Sequence, residues 1–278
     1  MSYKSILALG LGLFASLNAS ANVTRNRVED FSVESGAHVD IKISGGAINV
    51  KVGTEGKVHI ELHQTARTNS DKEAEEWIAR VNPVVEKTAR GVRVLVRHDG
   101  NQNGWWWFGH REEVQVGVDL VVPPSVNLDL NTSGGSINVN GQVQGDLHAD
   151  TSGGSITITG AVGKIDLDTS GGNISVDHVV KYVHADTSGG SIHIGYVDPG
   201  ASDVDADTSG GSIKIGIDPS GNYDVYADTS GGHVKVSELS FEALKTGPSH
   251  LEGRVNRGGM KVRADTSGGN IEIYAAHP

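Results

Sequence analysis

The sequence has no cysteine, few basic residues and, after its first 20 residues, no apolar run long enough to span a bilayer. Without cysteine there can be no disulfide scaffold, thiolate metal site or cysteine nucleophile. The 23 Lys and Arg residues against 34 Asp and Glu give a net charge of -11. This charge argues against nucleic acid as a partner, because phosphate backbones are bound by neutralising Lys and Arg.

Catalytic signatures are also missing. The sequence contains no Gly-x-Ser-x-Gly elbow, His-Glu-x-x-His motif, phosphate loop or dinucleotide fingerprint. These absences favour a non-enzymatic protein, and the sequence predicts no cofactor.

The first 21 residues have the pattern of an export signal. Lys4 precedes an apolar segment from Ile6 to Leu17, and Ala19-Ser20-Ala21 has the small residues of a cleavage site. We therefore predict a signal peptide over residues 1–21 and an exported mature protein, periplasmic or extracellular, with no membrane span.

The 38 glycines of the chain are concentrated in a repeat. Its Thr-Ser-Gly-Gly core begins at seven positions: Thr132, Thr151, Thr169, Thr187, Thr208, Thr229 and Thr266. The intervals are 19, 18, 18, 21, 21 and 37 residues, and the last is read as two periods with one degenerate coil between. Apolar residues alternate on both sides of each motif, which predicts short strands with one buried face.

Short strands joined by a glycine corner cannot bury an apolar face alone, so the units must stack. We predict an all-β parallel β-solenoid (β-helix) of about eight 18–21-residue coils over residues 126–278, with glycine corners aligned in one column. A third apolar position in each return segment predicts three sides per coil.

Residues 22–125 are predicted to form a β-rich N-terminal cap. Within it, 39–50 resembles a first coil, and Ser70-Asp71-Lys72-Glu73 reads as a capping box that starts a short helix near 71–81.

Taken together, the export signal, a short helix before Val122-Pro123-Pro124, and the serial Thr-Ser-Gly-Gly coils ending at Gly258-Gly259 and Asp265-Thr266 resemble a bacterial family of exported β-strand-repeat proteins regarded as adhesins. The resemblance covers nearly the whole mature chain. It implies the solenoid fold and a role in adhesion, and it carries no catalytic residues.

Two columns of polar residues follow from the repeat. The first is a predicted structural turn ladder, in which each carboxylate accepts hydrogen bonds from the corner backbone while Gly-Gly supplies positive φ: Asp150, Asp168, Asp186, Asp207, Asp228 and Asp265. Calcium is the alternative, but it needs six or more oxygen ligands. The second column alternates acid and imidazole, and a structural ladder is favoured there over a metal or pH-sensing role: Asp129, His148, Asp166, His184 and Asp205.

Two further segments are candidate sites. His59, Glu61 and His63 would share one strand face and suit zinc, although any amphipathic strand could show this spacing. Trp105, Trp106, Trp107 and Phe108 are four consecutive aromatic residues between glycines. They are either a ligand-binding platform or a plug that covers an open end of the solenoid.

The predicted function is therefore an exported, non-enzymatic scaffold or binding rod of the cell envelope or surface. Its partner would be an envelope glycan or a surface protein. Two alternatives stay open: a β-helical carbohydrate-active enzyme, and a structural rod that self-associates end to end.

Overall fold

The structure is a computed structural model that describes residues 21–53, 56–68, 70–96 and 114–278. The predicted signal peptide and the segment Trp105–Phe108 lie outside the described residues, except that Ala21 already belongs to the first strand. The described part is all-β with a single helix, as the sequence predicts.

The elements of the N-terminal part are β1 (Ala21–Ser32), β2 (His38–Ile43), β3 (Ile48–Val52), β4 (Lys57–Thr68), α1 (Asp71–Arg80), β5 (Val84–Thr88), β6 (Gly91–Leu95) and β7 (Val114–Val122). The repeat region contains β8 (Asn127–Thr132), β9 (Ile137–Val143), β10 (Leu147–Thr151), β11 (Ile156–Ala161), β12 (Lys164–Thr169), β13 (Ile174–Val179), β14 (Tyr182–Thr187), β15 (Ile192–Val197), β16 (Val204–Thr208) and β17 (Ile213–Ile217). The C-terminal part contains β18 (Tyr223–Thr229), β19 (Val234–Ser237), β20 (Phe241–Thr246), β21 (His250–Val255), β22 (Met260–Thr266) and β23 (Ile271–Ala275).

These strands form two sheets. Sheet A has 11 strands in the order β1-β4-β7-β3-β9-β11-β13-β15-β17-β23-β19. Sheet B has 12 strands in the order β20-β21-β18-β22-β16-β14-β12-β10-β8-β2-β6-β5. Their inward residues form one continuous hydrophobic core of mainly Val, Ile, Leu and Ala.

Each repeat places one strand in each sheet. The strand before a corner belongs to sheet B and the strand after it to sheet A, and neighbouring repeats pair in parallel and in register. Within the described ranges all strands belong to these two sheets, so the third apolar position of each repeat does not form a separate sheet. The third apolar position, for example Val143 or Val179, instead ends the strand of sheet A and points into the same core.

The corners align in one column, as predicted, but threonine holds them together. Thr169 Oγ1 donates to the carbonyl of Gly154 in the preceding repeat at 2.8 Å and accepts from the N–H of Gly172 in its own corner at 3.3 Å. Thr187 makes the same pair of bonds, at 2.9 Å and 3.3 Å. Because threonine ends the strand of sheet B and points inward, its hydroxyl is the group that reaches the corner.

The prediction that the Asp residues brace the corners is therefore wrong. The residue before each threonine points outward, and in the described structure no carboxylate of Asp150, Asp168, Asp186, Asp207, Asp228 or Asp265 bonds to a corner N–H. The expectation of positive φ at the corners also fails after the first one. Gly46 has φ of 99°, whereas Gly172 and its equivalents do not adopt the left-handed region. These second glycines are needed for close approach, since a Cβ on Gly172 would lie 1.9 Å from the Gly154 oxygen.

The order of the repeats in space differs from their order in the chain. β22 lies between β16 and β18, and β23 lies between β17 and β19, so the last repeat fills a gap left by the one before it. Of the 37 residues between Thr229 and Thr266, the stretch assigned to a degenerate coil instead forms the antiparallel hairpin β20–β21 against β18. The chain then reverses through Asn256 (φ 51°), Gly258 (φ 69°) and Gly259 (φ 148°).

The N-terminal strands extend the same sheets. β2 pairs with β8 and β3 with β9, so the predicted division at residue 126 does not coincide with a break in either sheet. On the far side, β6 and β7 continue the stack, and α1 packs on β4 and β1. The capping box does not form: Ser70 makes no side-chain cap bond, and the Glu73 carboxylate accepts a hydrogen bond from Thr68 instead.

Candidate binding face on sheet B

Strand alternation places two polar residues of each repeat on the outward face of sheet B. In β10, Leu147, Ala149 and Thr151 are buried while His148 and Asp150 face outward. The in-register pairing of the repeats turns these two positions into two adjacent columns. Their spacing is the strand spacing of a sheet, about 4.8 Å.

The carboxylate column contains six Asp residues on consecutive strands. Its order in space is Asp150, Asp168, Asp186, Asp207, Asp265 and Asp228. Asn131 precedes it and His250 follows it. The last member is paired, since His250 Nδ1 lies 3.1 Å from Asp228 Oδ2.

Stacking of like charges and partial burial change the acidity of two carboxyl groups. Burial raises the pKa of Asp207 to about 6, with a further contribution from the adjacent Asp205 carboxylate. Burial also raises the pKa of Asp168, and the Asp166 carboxylate adds to this effect. Both groups thus lie where negative charge is not fully compensated.

The second column alternates acid and imidazole as the sequence predicts. His148 pairs with Asp129 on one side and Asp166 on the other, and His184 pairs with Asp166 and Asp205. The Nδ1 atom of His148 lies 3.8 Å from Asp166 Oδ2, and that of His184 lies 3.6 Å from Asp205 Oδ2.

The two columns meet in two clusters that the sequence reading did not connect. His148, Asp166 and Asp168 form the first cluster, and His184, Asp205 and Asp207 form the second. In each, one nitrogen and two carboxylate oxygens lie within 4.8 Å of one another. The signal was present in the sequence as His148 and His184, two repeats apart, each followed one repeat later by Asp-x-Asp.

Basic residues lie at both ends of this face. Lys42 Nζ is 3.6 Å from Asp40 and 3.8 Å from Asp129, while Arg263 Nε is 2.6 Å from Asp265. The central repeats between them have no lysine or arginine in either column.

Near the second end, the carboxylate column borders an open groove beside the corners. Its lining combines carboxylates with hydroxyl groups: Asp186, Asp207, Asp228, Asp265, Thr187, Thr208, Thr266, Ser209, Ser230 and Ser267. Such a surface offers hydrogen-bond acceptors and donors to a polar ligand but little apolar area.

The predicted zinc residues lie elsewhere, on the outward face of β4. Each has its own polar neighbour: His59 Nδ1 is 2.9 Å from Asp30, Glu61 accepts from Asn26 at 3.3 Å, and His63 Nε2 is 3.0 Å from Asp119. Among the described residues, these three are not one of the clusters whose ligand atoms converge. The aromatic candidates at 105–108 lie outside the described residues, so both readings of that segment stay predictions.

In the described ranges, no helix has the length and apolar character needed to cross a bilayer. Comparison with curated proteins gives no match. Among solved structures, a proposed adhesin from Bacteroides fragilis is 13% identical with a TM-score of 0.44, and the alignment covers 90% of this chain and 97% of that one.

Two structures from Parabacteroides distasonis are also similar. A proposed adhesin is 14% identical with a TM-score of 0.45, covering 89% of this chain and 97% of the other. A proposed lipid-binding protein is 8% identical with a TM-score of 0.31, covering 89% and 96%. These scores and identities are too low to bear on function.

A family model gives the firmer assignment. It matches residues 121–274, more than half of the chain, and coincides with the repeats from the end of β7 to β23. The chain belongs to the family described as Toastrack DUF4097.

Proposed function

We propose that the protein is an exported, non-enzymatic β-solenoid that acts as a binding scaffold of the cell envelope or cell surface, with adhesion as its role. One observation carries this proposal: the inward residues of every repeat fill a continuous aliphatic core, so the polar groups that could engage a partner lie on the outward faces. Repeat proteins bind in this way, through extended surfaces that identical units create together.

The outward face of sheet B is the best-supported contact surface. Its six carboxylates span about 24 Å at the strand spacing of a sheet. A regular spacing of acceptors suits a partner that also repeats, such as a glycan chain, whose hydroxyl groups would donate to the carboxylates. With a net charge of -11, the protein would repel polyanionic partners and accept neutral or cationic ones.

Trp105, Trp106, Trp107 and Phe108 would supply a second contact of different chemistry. Aromatic rings stack on sugar faces and bury apolar area at low entropic cost. In the chain, these residues lie between β6 and β7.

The proposal is tested by binding of the full chain to isolated envelope fractions and to a glycan panel. Three variants are compared with wild type: Asp186→Asn combined with Asp207→Asn, the triple change of Trp105, Trp106 and Trp107 to Ser, and the control Asp177→Asn on sheet A. We expect the first two to lose attachment with no decrease in melting temperature, and the control to bind normally.

Two results would contradict it. If wild-type protein binds no envelope component or glycan, the scaffold is not a binding protein, and if it cleaves members of a polysaccharide panel, the enzymatic alternative is correct. A large loss of stability in the tryptophan variant would show that this segment is a plug.

A further inference from the structure

The two clusters on sheet B have the composition of metal sites. Each combines one imidazole nitrogen with two carboxylate oxygens, a donor set that suits zinc and manganese better than calcium, which prefers oxygen alone. Each also draws its ligands from two adjacent strands of a rigid sheet, so the backbone holds the donors in place.

The distances fit a shared ion. Donors bound to one ion at about 2.0–2.2 Å lie about 3–4.4 Å from one another. The His Nδ1 to Asp Oδ2 distances of 3.8 Å and 3.6 Å fall within this range. The ligand atoms of each cluster lie within 4.8 Å of one another, so only a small rotation of the half-exposed side chains would bring all of them into this range.

Hydrogen bonds to neighbouring side chains do not occupy the carboxylate oxygens that would bind the ion. Within the described structure, Asp205 Oδ1 is buried and has no hydrogen-bond partner, and neither Asp166 nor Asp168 accepts a hydrogen bond from a neighbouring donor.

The clusters are also two copies of one arrangement. His148 lies one repeat before Asp166 and Asp168, and His184 lies one repeat before Asp205 and Asp207. A structural ladder that only separates like charges would explain the alternation of His and Asp within one column. The second Asp of each cluster belongs to the neighbouring carboxylate column, so each cluster combines ligands from both columns.

We propose that each cluster binds one divalent transition-metal ion, with zinc as the preferred ion, so that the chain holds two. His Nδ1 and one oxygen from each Asp are the ligands, and water completes the coordination on the open side. This inference is independent of the proposed function, since metal binding requires no envelope partner.

The two sites differ in their surroundings. Arg263 lies on the strand next to Asp205 and Asp207, and its positive charge opposes a cation there. The strand next to Asp166 and Asp168 has His184 at the equivalent position. We therefore expect the site at His148 to bind more tightly than the site at His184.

The test is calorimetric titration of untagged, chelator-treated full chain with zinc chloride, with calcium chloride as the comparison. The variants are His148→Gln, His184→Gln and the double change. His193→Gln is the control, because His193 is exposed on sheet A between Ser175 and Lys214 and has no carboxylate beside it. All three positions are solvent-accessible, and circular dichroism verifies the fold of each variant.

We expect each single variant at His148 or His184 to lose one zinc ion per chain relative to wild type, and the double variant to lose two. The control should keep the wild-type stoichiometry, and calcium should bind at least tenfold more weakly. Unchanged zinc stoichiometry in the double variant would overturn the proposal. Equal affinity for calcium and zinc that is unchanged by the histidine substitutions would also overturn it, since this result would indicate nonspecific association with the acidic face.

Discussion

The second glycine of each corner gives the sharpest test of how the repeats are held together. Gly171 and Gly172 are adjacent in one corner, yet their surroundings differ. A Cβ on Gly172 would lie 1.9 Å from the Gly154 oxygen and 2.3 Å from its carbonyl carbon. A Cβ on Gly171 would come no closer than 3.6 Å to any neighbouring atom.

The change Gly172→Ala should therefore be costly. Relief of the clash requires separation of two backbones that are paired on both sides, and overpacking of this kind costs about 1–3 kcal/mol. The movement would also stretch the 2.8 Å bond from Thr169 Oγ1 to the Gly154 carbonyl, worth about 0.5–1.5 kcal/mol. We expect a total loss of about 2–4 kcal/mol, which corresponds to a melting temperature lower by about 4–16 °C for a chain of this size.

Gly171→Ala is the matched control. Its Cβ meets only ordinary van der Waals contacts, and alanine restricts the unfolded chain, so its effect should be within about 0.5–1 kcal/mol of wild type. Urea denaturation followed by circular dichroism measures both variants. If they differ by less than about 0.5 kcal/mol, close backbone approach is not the reason for the second glycine.

Three further predictions concern the corner threonine, the carboxylate column and the inserted repeat. Thr187→Val should lower the free energy of unfolding by about 1–3 kcal/mol in urea, because the Gly172 carbonyl and the Gly190 N–H lose their partner, whereas Thr187→Ser should retain most of the stability. Asp207→Asn should raise the melting temperature at pH 7.5 and have little effect near pH 4. The pKa of Asp207 is about 6 in the folded protein, above its unfolded value, so the ionised carboxylate opposes folding. This penalty grows as the pH rises from about 4 to 7. A variant that melts identically to wild type at both pH values would contradict this. Truncation after residue 256 removes β22, the strand between β16 and β18, and should expose the facing edges of those two strands. We expect the truncated protein to aggregate, as measured by light scattering. A monomeric, stable product would contradict the insertion of β22 between β16 and β18.

Much of the fold and part of the candidate site followed from the sequence alone. Alternating apolar residues around Thr-Ser-Gly-Gly determined the strands, their parallel stacking and the alignment of the corners, because a unit with one small apolar face has to bury it against its neighbours. The same period placed Asp186 below Asp168 and His148 beside Asp166, since residues one repeat apart become neighbours in a parallel sheet. The sequence also limited the chemistry, through the absence of cysteine and the excess of acid.

Tertiary structure decided what the period does not encode. The reversed order of the last two repeats depends on a hairpin, β20–β21, that breaks the pattern and occupies the edge of β18. Threonine braces the corner in place of aspartate because, at the end of the strand, threonine faces inward and aspartate faces outward. The convergence of His148 with Asp168 joins two columns, and it depends on side-chain directions across neighbouring strands, which no spacing along a single chain specifies.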